Sequence, residues 1–521
     1  MANGLDDYDL VFGVDFGTIN SGYYLLSLKN DTSRDKFDQS HLWKYKEEPS
    51  TMFYKKNSKK LFKYGELADC EFKNNLNSGY YANRVKMWLD RTIKNPALPP
   101  HLKPVEVIAD YLKKMSVPMD RQLRLYNNIG DGFKWRYCMT VPNMWPEQSK
   151  SIMREAAILA GFVTEGNDID KLLIIDEALA AALHSDRVSS ELKLAHGSRF
   201  LICDAGGRNI NISTFEKDNL SGISGLKEIT IGDGGSCGSI LLENLFEALL
   251  RKRMYIHSGY SERNKENTLW YFNYKLKYIF GGDMKKTSYY MKMINQEYIR
   301  GHPNIGEEEG ISLDAIQTSV FDPVVNEVLG MIEKQLIQLR GKTLDAIFIT
   351  GGFGQSPYLQ KRMKETFKGR VKHFKVIEDG HEAVMKGAAL FGFNPCKITQ
   401  NIIRCTYGIR ISLPSSTSDD SSDLKSEKEK IYVYIRKGES VNNDMWIRVL
   451  LALCTSNDDL PTLEYNYVYG VDIVAIFNQK YPDDQTKEII DEVLTIGIRF
   501  GSNRVEIKVN SGGRQFEYVN T

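Results

Sequence analysis

Residues 199–216 read RFLICDAGGRNINISTFE. Phe200, Leu201 and Ile202 form an apolar run that Asp204 and two glycines interrupt. Apolar residues return at alternate positions, Ile210 and Ile212, with Phe215 beyond. That order predicts a strand, a tight polar turn and a second strand. A near copy stands at 10–28, LVFGVDFGTINSGYYLLSL. Aligning Asp15 with Asp204 also pairs Gly17 with Gly206 and Asn20 with Asn209, so each stretch carries D-x-G-x-x-N between two strands. Two such hairpins predict two related lobes, each offering an acidic, glycine-containing turn.

At 521 residues the chain exceeds a single core and is long enough for roughly two to four domains. Its 42% hydrophobic and 26% charged content is ordinary for a globular protein. A formal net charge of +1 gives no electrostatic case for nucleic acid or an anionic membrane, and neither is expected as a partner. No apolar run approaches a membrane span, and the N-terminal stretch with Asp6, Asp7 and Asp9 lacks the apolar core of a signal peptide. The seven cysteines are scattered and never form C-x-x-C, which argues for a reducing, cytoplasmic setting and against a disulfide framework or zinc site.

Between the hairpins, RYCMTVP (136–142) reads as a buried strand, followed by a helix from Pro146 to near Gly161. KLLII (171–175) is a second strand, and DEALAAAL (176–183) a helix opened by two acids. Read alone, Lys86 is a surface lysine and Glu177 a carboxylate facing its helix dipole. GDGGSCG (232–238) leads into the helix SILLENLFEALLRKR, an arrangement that suits anions, although Cys237 breaks the G-x-G-x-x-G spacing. WYFNYKLKYIF (270–280) reads as helix with an aromatic face. Residues 321–339 form an amphipathic helix with Pro323 near its start, and LDAIFIT (344–350) is a strand running into GGFGQSP and another helix. HEAVMKGAALF (381–391) reads as a closing helix whose small residues permit close packing. Residues 414–430 are polar and low in complexity, a flexible loop by composition. Beyond them, IYVYIRKG, WIRVLLALC, VDIVAIFNQ, EVLTIGIRFG and NRVEIKVN alternate as short strands.

Glycine turns let backbone N–H groups wrap phosphate oxygens, and an aspartate at a turn holds magnesium, usually through water. Two such turns facing each other suit a nucleotide polyphosphate. No G-x-x-x-x-G-K-[ST] segment exists, so the chain has no P-loop.

GVDFGTINS, TVPNMWPEQSKSIMREAAILAGF, IIDEALAAAL, ICDAGGRNINIS, ITGGFGQSPYLQ and EAVMKGAALFG occur in this order over residues 10–396. The series resembles the actin-like ATPase domain of the seventy-kilodalton heat-shock chaperones. GGSCGSILLENLF and FDPVV are similar to the divergent heat-shock protein 12 branch. The helical lid and acidic C-terminal tetrapeptide of the usual chaperones are not found. The resemblance implies a two-lobed α/β fold of duplicated ribonuclease-H-like lobes over 1–396, followed by a β-rich module over 397–521. Lobe I is expected at about 1–198 plus 376–396, and lobe II at about 199–375.

The resemblance also implies ATP or ADP, with Mg2+, between the lobes. Asp15 and Asp204 would hold the hydrated metal. Gly17, Thr18 and Ile19 would meet the phosphates from one lobe, and Gly206, Gly207, Arg208 and Asn209 from the other. Lys86 and Glu177 would join Asp204 in hydrolysis. Lys277, Gly351, Gly352 and Gln355 would lie on the adenosine side. Several positions depart from the family pattern. Ile19 replaces a threonine, Tyr274 a glutamate, Gln355 an arginine and His381 an acid. Arg208, Asn209 and Asn211 stand for a glycine, a threonine and an aspartate. Arg208 adds one positive charge and Asn211 removes one negative charge, together +2 beside the phosphates. Two readings of Arg208 stay open: it partly replaces a metal cation, or it turns to solvent in a decaying site. The resulting expectation is a nucleotide-gated chaperone or adaptor with slow or lost hydrolysis, meeting protein clients or a dedicated partner through 397–521. The alternatives are a pseudo-ATPase scaffold and, behind it, a small-molecule kinase of the same superfamily.

Overall fold

The computed structural model describes residues 8–27, 43–44, 48–89 (without 57, 59, 76 and 77), 102–127, 134–164 (without 146), 171–218, 225–254, 262–281, 311–395 (without 312), 398–413 (without 405 and 406), 428–452 (without 443–445), 493–500, 505–511 and 514–520. The chain divides into two compact units, residues 1–224 with 232–395, and residues 225–231 with 396–521.

The first unit is built from a repeated lobe. Strands β1 (Leu10–Asp15) and β2 (Asn20–Ser27) form the first hairpin, with Asp15 opposite Gly22. Strand β3 (Trp135–Val141) lies parallel to β1. Helix α1 (Glu147–Ala160) leads to β4 (Leu172–Asp176), parallel to β3, and then to α2 (Glu177–Arg187). The second lobe repeats this order. Strands β5 (Arg199–Ala205) and β6 (Ile210–Asp218) form the hairpin, with Asp204 opposite Asn211. Helices α3 (Ser239–Met254) and α4 (Asp322–Gln338) follow. Strand β7 (Leu344–Thr350) is parallel to β5, α5 (Pro357–Thr366) and β8 (Val371–Val376) complete the lobe, and α6 (Ala383–Phe393) follows. The sheet orders β2-β1-β3-β4 and β6-β5-β7-β8 are equivalent. The duplicated motif at 10–28 and 199–216 therefore opens a whole duplicated lobe, and the two-lobed actin-like fold is borne out.

The centres of both sheets are apolar on both faces because helices cover each side. Phe12 stacks on Tyr137 at 5.4 Å between ring centres, and Phe200 meets Phe348 edge-on at 5.3 Å. The closing helices cross over. Helix α6 follows β8 in the chain yet packs on β1, β3 and α2, whereas α2 also reaches β5 and β6. Glycines allow this approach: a Cβ at Gly387 would lie 1.7 Å from the Ala180 carbonyl oxygen, and one at Gly13 2.0 Å from that of Met385.

The single helix expected over 270–280 is interrupted. An α-helix (Glu262–Tyr271) widens into one π turn (Phe272–Leu276) before Lys277–Ile279. The extra residue per turn divides the aromatics. Phe272 and Phe280 are buried, with Phe272 stacked on Phe246 at 4.0 Å, while Trp270, Tyr274 and Tyr278 are exposed.

The second unit is β-rich. Strand Gly225–Glu228 runs parallel to Ile398–Ile402, which pairs with Ser440–Asn442. Glu228 accepts from Arg404 at 2.8 Å and from the Ile402 N–H at 3.2 Å. Tyr407–Leu413 pairs with Lys428–Ile435. Trp446–Ala452, Val493–Phe500, Val505–Ser511 and Arg514–Asn520 form an antiparallel meander. The loop expected over 414–430 is shorter than its composition suggests, because Lys428–Lys430 already pair as strand. Residues 414–427 and the run 471–479 lie outside the described residues. Among the described residues no helix is long and apolar enough to cross a membrane.

Candidate functional site

Both hairpin turns open onto one cavity of about 610 Å3. Asp15, Gly17, Thr18 and Ile19 line it from the first hairpin, and Asp204, Gly206, Gly207, Arg208 and Asn209 from the second. The turns nearly touch: a Cβ at Gly207 would lie 2.2 Å from Ile19 Cδ1. Lys86 and Glu177 form part of the same wall.

The two aspartates end equivalent strands and are braced alike. Thr140 on β3 donates to Asp15 Oδ1 at 3.2 Å, and Thr350 on β7 donates to Asp204 Oδ1 at 3.1 Å. Each parallel neighbour thus supplies a threonine hydroxyl at the register position beside the acid. Neither threonine stood out in the sequence, because the pairing exists only once β3 lies beside β1 and β7 beside β5.

Lys86 is 3% exposed, not a surface lysine, and its ammonium forms an ion pair with Glu177 Oε1. Burial opposes its charge, but Glu177, Asp15 and Asp204 outweigh that penalty and hold its pKa above the ordinary lysine value. Glu177 opens α2 and yet faces Lys86 and lobe II instead of only its own helix end. Asn211 Nδ2 donates to Glu177 Oε2 at 2.6 Å and to Asp204 Oδ2 at 3.2 Å. Burial, followed by the charge of Glu177, pushes the Asp204 carboxyl up to about 7, although Asn211 and Thr350 donate to it.

Asn143, which sequence reasoning did not single out, fixes this arrangement. Its backbone N–H donates to Asn211 Oδ1 at 3.1 Å. Its own side chain accepts from the Ala178 N–H at 3.1 Å and donates to Ser213 Oγ at 2.8 Å. A buried amide network therefore ties the segment after β3 and the start of α2 to strand β6.

Asp15 and Asp204, which the resemblance assigns to a hydrated magnesium ion, both line the cavity. Water on such an ion needs acceptors for its protons. Lys86, Asn211 and Thr350 place one donor on each of the four oxygens of Glu177 and Asp204, and each oxygen keeps a second lone pair. Asn211 brings donors to the position from which a carboxylate would accept.

The glycine-rich stretch before α3 supports the second turn rather than offering its own anion site. The N–H groups of Gly238, Ser239 and Ile240 donate to the carbonyls of Arg208, Gly206 and Gly207 at 2.6, 3.3 and 2.7 Å. A trans peptide sets its N–H opposite its C=O. The N–H groups of residues 207, 208 and 209 accordingly point away from α3.

Gly351, Gly352, Phe353 and Ser356 form another part of the cavity wall. Gly351 has φ +80°, and a Cβ there would meet the Ala205 carbonyl oxygen at 2.2 Å, so glycine is required twice over. Gln355 is not part of the lining; its amide donates to the Ile377 carbonyl at 3.2 Å. Lys277 lines the cavity and pairs with Glu243 at 2.8 Å. Tyr274, Tyr278, His381 and Arg84 also contribute. Of these, Tyr278 and Arg84 carried no sequence signal; Arg84 sits at φ 53°, an uncommon conformation that precedes the short helical turn bearing Lys86.

Comparison with known proteins identifies distant relatives. Heat shock 70 kDa protein 12A of Mus musculus is 21% identical over 354 residues, 53% of this chain and 51% of that protein. Its Homo sapiens counterpart is 20% identical over 500 residues, 77% of this chain and 72% of that protein. Chaperone protein DnaK of Thermosipho melanesiensis is 24% identical over 406 residues, 73% of this chain and 59% of that protein. The chain thus spans about half the length of the mouse relative it matches. No family model matches the chain. The relatives bear out the resemblance to the heat-shock 70 kDa proteins and to their 12-type branch.

Proposed function

We propose that this heat-shock-70-like chain binds ATP or ADP in the cavity between its two lobes and hydrolyses ATP slowly or not at all. The observation that carries this reading is the convergence of both D-x-G-x-x-N turns on one cavity. Gly17, Thr18 and Ile19 would hold the phosphates from one side, and Gly206, Gly207 and Asn209 from the other. The amides at 207–209 point away from α3, as a backbone cradle for phosphate requires. Gly351 and Gly352, with Lys277, would lie along the adenosine. Lobe movement set by the nucleotide would reach the β-rich residues 397–521, which would engage protein clients or a dedicated partner. Such gating works only through different affinities for the two lobe arrangements.

Asn211 favours a second reading of the same site, a nucleotide-binding scaffold without turnover. Its amide donates to both carboxylates nearest the reaction centre, where hydrolysis needs acceptors to orient water.

Thermal unfolding with and without nucleotide tests the binding reading. At about a hundred times Kd a ligand adds roughly 2.7 kcal/mol of stability. ATP and ADP should therefore raise Tm, and Gly207→Val should abolish the rise while leaving the unliganded protein folded. Identical Tm values with and without both nucleotides would contradict the proposal. Phosphate release on the same sample separates slow turnover from none.

A further inference from the structure

We infer that the site takes a nucleoside diphosphate in preference to a triphosphate, because the Ile19 side chain bridges the gap between the two glycine turns that a third phosphate would enter. This inference rests on the nucleotide reading above and deepens it.

A Cβ built on Gly207 would lie 2.2 Å from Ile19 Cδ1 and 2.7 Å from Ile19 Cγ1, so the isoleucine side chain rests directly on the Gly207 backbone. It crosses from the turn of the first hairpin to the turn of the second, and both residues line the same cavity. Ile19 is 41% exposed, an apolar group standing between polar turns and outside the core.

The backbone is fixed on both sides of this bridge. Ser50, itself fully buried, holds the first turn twice. Its N–H donates to the Ile19 carbonyl at 2.7 Å, and its hydroxyl donates to the Gly17 carbonyl at 2.8 Å. The N–H groups of Gly238, Ser239 and Ile240 hold the carbonyls of the second turn. Isoleucine is β-branched, which restricts its χ1 on a fixed backbone.

The order of contacts decides which phosphate meets Ile19. Gly351, on the expected adenosine side, lies against Ala205: an added Cβ would stand 2.2 Å from the Ala205 carbonyl oxygen. Gly206 and Gly207 follow Ala205 in the chain, and Ile19 rests on Gly207. A phosphate chain leaving the adenosine side therefore reaches Gly206 and Gly207 first and Ile19 last. A phosphate shared by both turns must displace the isoleucine or press charged oxygens against it. The side chain has no donor, and an anionic oxygen set against an apolar group loses its hydration without a replacement hydrogen bond. A diphosphate is one group shorter and leaves the bridge in place.

Calorimetric titration of the full chain with ADP and with ATP, in one magnesium buffer, tests the inference. The wild type should bind ADP about fivefold or more tighter than ATP. Ile19→Ala removes the bridge and should bring the two Kd values to within about twofold, chiefly by strengthening ATP. Ile19→Thr, shorter and with a hydroxyl that donates, should shift the ratio in the same direction. A smaller wild-type preference for ADP, or a preference for ATP, would overturn the inference, as would an ADP preference that Ile19→Ala leaves unchanged. Absence of binding by either nucleotide would overturn the nucleotide reading itself, and the inference with it. The wild-type comparison needs no variant to fold.

Discussion

The Asn211 side-chain amide stands 2.6 Å from Glu177 Oε2, so a neutral donor occupies a fully buried position between two acids. Asn211→Asp replaces that donor with a third negative group beside Glu177 and Asp204. Without a cation, the variant should lose on the order of 1–3 kcal/mol of stability, the cost of leaving buried polar groups unmatched. Magnesium should restore part of the loss in the variant and stabilise the wild type less. Chemical denaturation of both proteins, with and without magnesium, measures the difference.

Lys86 is the cationic partner of Glu177, and both are buried. Removing one member of such a pair costs about 3–5 kcal/mol, because the other charge is left without compensation. Lys86→Met should therefore be strongly destabilised, and Lys86→Met/Glu177→Leu should regain most of the loss. A double variant as unstable as the sum of its single variants would show that the two side chains do not interact.

The glycines divide by what surrounds them. At Gly387 an added Cβ would meet the backbone of Ala180 at 1.7 Å, whereas at Gly330 it would meet nothing within 4 Å. Gly387→Ala must separate α6 from α2 and should cost about 1–3 kcal/mol or more. Gly330→Ala, inside α4, should stabilise by up to about 1 kcal/mol through helix propensity. Thermal unfolding of the two variants should shift in opposite directions.

Much of this architecture was legible in the sequence. The repeated D-x-G-x-x-N turn marks two equivalent hairpins because its spacing is local and its glycines have few substitutes. The small residues of 381–391 mark a closely packed helix for the same reason. The rest depends on contacts between distant segments. Thr140 and Thr350 acquire meaning only through strand register. Asn143 matters because residue 211 presents an oxygen to it across the lobes. Lys86 looks like a surface residue in RVKMWL until Glu177, ninety-one positions away, draws it inside. Gln355 follows the expected glycines yet turns to Ile377, which no local pattern announces. In the second unit, RQFEYVN (514–520) lacks a strong apolar run, and its strand is defined by pairing with Val505–Ser511.

His184 on α2 supplies a pH-dependent prediction. Burial, followed by the charges of Lys386 and Arg187, pushes its pKa down to about 4. The unfolded side chain takes a proton near pH 6.5, so the unfolded state binds more protons between those values. Stability should fall as pH drops from about 6.5 towards 4, by up to roughly 3 kcal/mol from this residue. His184→Gln should flatten that part of the stability profile in urea titrations across the window. A profile of unchanged slope would contradict the assignment.

The account as a whole depends on where a nucleotide sits. Photolabelling with 8-azido-ATP, followed by mapping of the labelled peptides, reads that position directly. Label should appear on peptides carrying Tyr274, Lys277 and Tyr278 or Gly351, Gly352, Phe353 and Ser356, which line the cavity on its expected adenosine side, and excess ATP should remove it. Label confined to peptides outside the cavity, or label that ATP does not displace, would contradict the account.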